Sequence, residues 1–426
     1  MLVVSVVTIT LLLASHAMNR LRTAEALLLM PFAAGSVLLP LFGAVPLFQL
    51  RIGHLVLALF LAFEWLVLTG MGLLYDDMWR RPPRLARSVL LRHGGPALNW
   101  CALLIVVVLV VYIVGAASQV VAASSMSDYF LEKRALAHAD EGVDVANPLA
   151  YRAINFSMAL VLLMSSWRYF ARHERVSRRG TIFFALLLIG SVASVLEGNR
   201  STLIVTLIAL MCFVYIKRLV TVKFMAVSLT AFVLLFVLSM QVLRLEGDFS
   251  LEGIQVAFSW FTVYAFGSLA SFAEFFDQHI STFWYTFDIG AYKFGAEFAE
   301  AIGAREFFII DYVDVGSLST NVYSGYAVLY DYLGMWAVVF LVVKNAVFYF
   351  FKWASQRGIV GNACYIALLS SYPLTIYHEF MLTTLYYCLN ILELAPILWL
   401  MAYVVRFARG RSALRSPTAT AQSRGH

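Results

Sequence analysis

Glu197-Gly198-Asn199-Arg200-Ser201-Thr202 is a short polar run between two long apolar ones, residues 180–196 before it and 203–216 after it. Neither apolar run carries a charge. Runs of about 17–25 such residues are long enough to cross a bilayer as helices, and a helix is the simplest way to satisfy backbone N–H and C=O groups in hydrocarbon. The polar run is then a tight turn where two membrane helices meet water. Gly198 and Asn199 are turn formers, and Ser201 or Thr202 can cap the helix that follows. The turn sets Arg200 beside the free N–H groups of a helix start, a combination that suits a phosphate.

Working outward, the same pattern recurs along the chain. Of 426 residues, 62% are hydrophobic and only 13% are charged, a balance that excludes an ordinary soluble domain. Apolar runs fall at about 1–15, 23–47, 53–75, 96–118, 150–169, 180–197, 201–217, 222–243, 326–350, 358–378 and 382–405. The expected fold is therefore all-α: a polytopic membrane protein with eleven transmembrane helices in one domain, residues 1–409. A Ser/Thr/Arg-rich tail, 410–426, reads as disordered. The first run lacks a basic leader and a clean cleavage site, so it reads as a short span, not a cleaved signal peptide. No internal repeat stands out. Cys101, Cys212, Cys364 and Cys388 all lie within apolar runs without paired spacing, as small core residues do.

The net charge of +6 reports topology here, not nucleic-acid binding. One set of connections, with the C-terminal tail, holds 23 of the 31 basic residues, including Arg80, Arg81, Arg84, Arg172, Arg178 and Arg179. The alternate set holds Arg51, Lys133, Arg134, Arg152, Arg200, Arg244, Lys293 and Arg305. The basic set belongs in the cytoplasm by the positive-inside rule, which places the C-terminus inside and the 197–202 turn outside. Two outside loops are then long, 119–149 and 244–325. Within the second, 256–276 is rich in Phe, Trp and Tyr. It reads either as a twelfth span or as an interfacial or re-entrant helix, and the charge pattern favours the latter.

Candidate site residues follow from this topology. Arg152, Arg200 and Arg244 stand at outer helix ends, against the bias that keeps arginine inside. Three guanidiniums at one depth can hold a diphosphate by bidentate hydrogen bonds. Alternatively, each binds a lipid headgroup or pairs with an acid such as Glu197 or Glu246. His378 and Glu379 lie together at an outer helix end, and an imidazole beside a carboxylate is a usable base for a sugar hydroxyl. The alternative is an interfacial histidine bonded to water. Asn321, Tyr323 and Asp331 lie in an aromatic and polar stretch suited to a sugar rim, or to an ordinary aromatic belt. Glu64 and Glu393 fall near the middle of apolar runs, where an ionisable group is costly and marks a site, an ion path or a buried pair with Lys344. There is no glycine loop followed by Lys-Ser/Thr, no Asp-x-Asp and no His-Glu-x-x-His. The expected chemistry uses no nucleotide sugar, no metal and no cofactor.

Three segments carry a resemblance. Leu196-Glu197-Gly198-Asn199-Arg200-Ser201 resembles the Gly/Asn-Arg-Ser turn of bacterial oligosaccharide repeat-unit polymerases, the Wzy-type O-antigen and exopolysaccharide polymerases. Phe266-Gly267-Ser268-Leu269-Ala270-Ser271-Phe272 is similar to the segment after the central spans of that family, and Thr320-Asn321-Val322-Tyr323 with Asp331-Tyr332-Leu333-Gly334 to its later signature, with Tyr332 where Phe is usual. The resemblance covers about 150–334. It implies an inner-membrane glycosyltransferase that takes a glycan repeat unit on undecaprenyl pyrophosphate from the periplasmic side. On that reading Arg152, Arg200 and Arg244 hold the diphosphate; Asn321, Tyr323, Asp331 and Glu197 hold the glycan; and His378 or Glu379 takes the acceptor's proton. It also implies partners, a chain-length regulator and a flippase. O-antigen ligases are the nearest functional neighbour, and a lipid-linked sugar transporter is the reading from a different class.

Overall fold

The computed structural model describes residues 1–18, 22–43, 45–48, 51–79, 89–122, 148–171, 180–197, 200–217, 219, six positions between 223 and 237, 250–279, 313–315, 318–320, 325–333, 336–376 and 381–414. The described residues are helical apart from turns and one two-stranded antiparallel hairpin, β1 (Val313–Val315) with β2 (Leu318–Thr320), a small departure from the expected all-α fold. Among the described residues, five stretches are long and apolar enough to cross a membrane: Ile52–Tyr75, His93–Gln119, Leu149–Phe170, Ala337–Ser355 and Thr384–Ala408. A sixth is a bent pair, Leu251–Val263 with Ser268–Asp277. Large apolar side chains such as Leu66, Val111, Leu188 and Leu400 stay exposed, as they can where the solvent is hydrocarbon and not water. The molecule has the features of a multi-pass membrane protein.

Contacts divide the chain into two compact units. The first comprises Met1–Arg81, Leu207–Phe350 and Leu368–Leu385. In it, α1 (Leu2–Ala17) packs on α2 (Arg22–Leu41) and on α3 (Ile52–Trp79). α2 stops where Gly43, at φ 69°, turns the chain and its N–H reaches back to the carbonyl of Pro40 at 3.1 Å, a left-handed cap that glycine adopts without strain. α8 (Leu251–Phe266) is capped by Ser250, whose hydroxyl accepts the Gly253 N–H at 3.0 Å. Gly267 then bends the chain by 54° into α9 (Ser268–His279). α9 lies against the start of α3. A Cβ on Gly53 would come within 2.5 Å of the Ala273 backbone, and the Gly53 N–H donates to Asp277 Oδ1 at 3.2 Å. Arg51 closes the same corner on Glu274.

Two apolar runs expected as single helices are broken. Residues 326–350 become α10 (Gly325–Leu333) and α11 (Ala337–Ser355). Residues 358–378 become α12 (Ile359–Leu369) and the single turn α13 (Ser371–Leu374). Local signals stand at both: Gly334 directly follows Leu333, and Ser370, Ser371 and Pro373 interrupt the second run.

The second unit comprises Pro82–Thr206, Phe351–Ala367 and Tyr386–His426. Here α4 (Val89–Ala122), α5 (Pro148–Phe170) and α6 (Gly180–Leu196) pack together around Leu109, Ala153, Ile154 and Ala193. A Cβ on Gly190 would meet Ser157 Oγ at 2.6 Å, the close approach that small residues permit between membrane helices. Asn362 donates to Ser166 Oγ at 3.0 Å, and Ser166 donates to the Ile359 carbonyl at 2.7 Å, fixing α12 to α5. α7 (Arg200–Ile216) follows the polar turn. α14 (Met381–Leu414) runs past the expected start of a disordered tail at 410, carried on by the good helix formers Arg411, Ala413 and Leu414.

Candidate functional site

The candidate site assembles in the second unit, where α5, α7 and α14 meet at Thr202. Arg200 is the first residue of α7, so the cation expected at a helix start does stand there. Thr202 does not cap that helix. Its hydroxyl donates to Asn155 Oδ1 on α5 at 3.3 Å and accepts from the Tyr387 hydroxyl of α14 at 2.9 Å. All three side chains are buried. One long-range hydroxyl bridge thus ties the helix that Arg200 begins to two other helices.

Arg152 and Glu393 flank this joint, one on each of those helices. Arg152 precedes Asn155 by three residues on α5, and the Arg152 guanidinium donates to Glu393 Oε2 at 2.7 Å. Residues three apart share a helix face. The pair is about half exposed, so the ionic contact itself contributes little stability, up to about 1 kcal/mol in water. The guanidinium carbon also lies 5.2 Å from the Phe156 ring centre, a cation–π contact. On α14, Asn390 precedes Glu393 by three residues. Among the described residues, the buried amide nitrogens of Asn155 and Asn390 find no hydrogen-bond acceptor.

Glu197 ends the other side of the turn. Its carboxylate accepts the Tyr112 hydroxyl of α4. Arg152 therefore has an acid partner, as one reading of the sequence allowed, and that acid is Glu393, while Glu197 takes the Tyr112 hydroxyl and Glu246 lies outside the described residues. The site brings Arg152, Glu197 and the Arg200 position into one unit. Arg244, Asn321, Tyr323, His378 and Glu379 lie outside the described residues. Asp331 is placed in α10, in the first unit.

Glu64 finds the partner that its apolar surroundings require. Lys344 Nζ lies 3.1 Å from Glu64 Oε1, with both side chains fully buried. The ammonium sits off the line of a directed hydrogen bond to that oxygen, so the contact is a close charge pair. Tyr326 donates its hydroxyl to Oε2. Lys344 in turn donates to Thr375 Oγ1 at 3.1 Å. Among the described residues no three His, Cys, Asp or Glu side chains stand close enough to hold a metal ion.

Sequence reasoning missed Asn155, Tyr387, Asn390 and Tyr112. A signal for two of them was present: Asn155 and Asn390 are amides inside apolar runs, each one helical turn from a charge already singled out. Comparison of the chain with family models, curated proteins and solved structures gives no match.

Removing the central hydroxyl tests whether the joint holds. Thr202→Val keeps the shape and deletes both hydrogen bonds. The expected loss is about 1–3 kcal/mol, the cost of stripping a buried polar partner, read as a lowered midpoint of heat denaturation in detergent. An unchanged midpoint would mean that α5, α7 and α14 are held by apolar packing alone.

Proposed function

We propose that the protein is a membrane glycosyltransferase that polymerises oligosaccharide repeat units carried on undecaprenyl pyrophosphate. The observation that carries the reading is the joint at Thr202, which ties the helix that begins at Arg200 to the helix that carries Arg152. A helix start and an arginine both favour anions. The spare amide donors of Asn155 and Asn390 suit an oxygen-rich ligand. The segment resemblance supplies the substrate class, and the charge pattern supplies the side: eleven spans, the C-terminus in the cytoplasm of a bacterial inner membrane, and the site facing the periplasm.

In this reaction the bond between the anomeric carbon and the diphosphate oxygen breaks, and the lipid diphosphate leaves with the electron pair. The anomeric carbon bonds to a hydroxyl of the next lipid-linked unit, whose proton passes to His378 or Glu379. Arg152, Arg200 and Arg244 stabilise the charge that grows on the leaving diphosphate. Asn321, Tyr323, Asp331 and Glu197 hold the sugars. No metal, cofactor or nucleic acid has a part in it, and a chain-length regulator and a flippase work alongside. Glu64 and Glu393 each have a cation beside them, which weakens the case for a transporter.

Deleting the gene in its own host tests the reading. A polymerase deletion leaves glycans of a single repeat attached to their carrier or acceptor. A ligase deletion leaves none attached, and a transporter deletion lowers every form on the outer face together. Either of the latter results would replace the proposal.

A further inference from the structure

Two buried amides on facing helices have donors and no acceptor. Asn155 of α5 and Asn390 of α14 are each 1% exposed, and among the described residues neither amide nitrogen has a hydrogen-bond partner. Native interiors leave few such groups, and each one calls for an explanation in a ligand, an ion or a water. The two amides lie along one stretch of helix contact. At one end, the Arg152 guanidinium donates to Glu393 Oε2 at 2.7 Å. At the other, the Thr202 hydroxyl joins Asn155 Oδ1 to the Tyr387 hydroxyl. Asn155 stands three residues after Arg152, and Asn390 stands midway between Tyr387 and Glu393. Steps of three keep these side chains on one face of each helix. The contacts run forward on α5 and backward on α14, so both amides fall between the ion pair and Tyr387.

The ion pair has the character of an anion site that is already filled. Arg152 offers a planar fork that suits two oxygens, and both it and Glu393 are about half exposed. A pair so exposed is held weakly, so the carboxylate can leave at small cost and another anion can take its place. The carboxylate has two oxygens in one plane and is tethered to α14; with Glu393 on Arg152, both amide nitrogens stay without an acceptor. A phosphate spreads its oxygens over a tetrahedron, so some can face the guanidinium while others accept from the amides. We propose that Arg152, Asn155 and Asn390 form a binding site for a phosphate or diphosphate group, and that the Glu393 carboxylate fills the site until that group displaces it. The proposal deepens the polymerase reading and rests on it for a lipid diphosphate as the occupant; the anion site itself stands on the geometry. It also explains why two unpaired amides persist in an interior that an apolar residue would suit better.

The full chain, purified in a neutral detergent, is titrated in a calorimeter at low salt with inorganic diphosphate and, separately, with geranylgeranyl diphosphate. Glu393→Gln removes the competing charge and should tighten both about tenfold. Arg152→Gln should weaken both by about tenfold or more. Asn390→Leu keeps the volume without the donor and should weaken both about tenfold, the loss expected for one hydrogen bond to a charged group. Without ligand, Asn390→Leu should denature at the unmodified temperature or above it, because no partner is left behind. Asn155→Asp keeps the oxygen that Thr202 uses, turns the donor into an acceptor and should weaken binding as well. An amide that only serves the fold would give the opposite pair of results in Asn390→Leu, unchanged affinity and a lowered midpoint, and that overturns the proposal. Failure of Glu393→Gln to bind either compound overturns it too. Equal affinity for the two compounds supports the site with all recognition in the phosphates, and tighter binding of the isoprenyl compound supports it with a lipid as the source. If deletion of the gene leaves single-repeat glycans while Asn390→Leu binds both compounds normally, the site falls and the polymerase reading stands. If the variants respond as expected while deletion leaves full-length glycans, the site stands and the polymerase reading falls.

Discussion

Lys344→Met should strip most of the protein from the membrane. The ammonium is fully buried between Glu64, Thr375 and the Tyr372 ring. Methionine matches its length and packs well in an apolar setting, so volume is not the problem. The problem is Glu64, fully buried and left as an uncompensated carboxylate that still accepts the Tyr326 hydroxyl. Breaking a buried pair by removing one partner costs about 3–5 kcal/mol, and membrane interiors raise the cost of an unpaired charge further. The double substitution Glu64→Gln with Lys344→Met removes both charges and should recover most of the loss, because replacing a buried pair as a unit is often close to neutral. Steady-state level in membranes and the denaturation midpoint in detergent, measured on the two singles and the double, form a complete cycle. A Lys344→Met midpoint within experimental error of the unmodified protein would show that the two charges do not depend on each other. A double mutant as unstable as the single would place the loss in Lys344's own contacts with Thr375 and Tyr372.

That pair was legible in the sequence only as one of several alternatives, and the reason is physical. Ionisable residues inside long apolar runs have few ways to be tolerated, so Lys344 stood as one option for either Glu64 or Glu393, and the fold chooses Glu64. The long apolar helices were legible for the same reason: backbone groups in hydrocarbon leave few alternatives to a helix. The ends of α10 and α12 carried local signals that the long apolar runs overshadowed, Gly334 after Leu333 and Ser370-Ser371 ahead of Pro373. Tertiary contacts add to the second: Lys344 donates to Thr375, and the Tyr372 hydroxyl donates to Asn345, in the turn after α12. The joint at Thr202 was read locally, as a cap, because a threonine near a helix start usually serves there. Its hydroxyl instead serves Asn155 and Tyr387, the latter 185 positions away in the chain. No local rule reports a partner at that distance. The partner of Arg152 was misplaced in the same way: nearby acids were considered, and the acid that answers is Glu393, 241 positions on.

Arg200→Ala should abolish the long-chain glycan ladder at normal protein level. The argument begins with the backbone. α7 starts at Arg200, so the residue sits where several N–H groups lack intrahelical partners and the helix dipole is positive. An arginine there adds a full charge and a planar fork that matches two phosphate oxygens at once. If the diphosphate leaves at this point, the guanidinium stabilises charge that is larger in the transition state than in the bound substrate. Removing such a donor costs about 2.7–4 kcal/mol, roughly 100- to 1,000-fold in rate. Chains that need many sequential additions would disappear from a gel at that deficit. Arg200→Lys separates charge from geometry: it keeps the positive charge but loses the fork, so an intermediate ladder of shorter chains is expected. The comparison with Thr202→Val isolates chemistry from folding, because that substitution weakens the joint two residues away and leaves the guanidinium in place. If Thr202→Val shortens the ladder only as far as protein level falls, while Arg200→Ala removes it at full level, the cation acts on substrate. If Arg200→Ala cells keep a full ladder, Arg200 anchors a lipid headgroup, and the diphosphate site has to be sought around Arg152 and its partner Glu393.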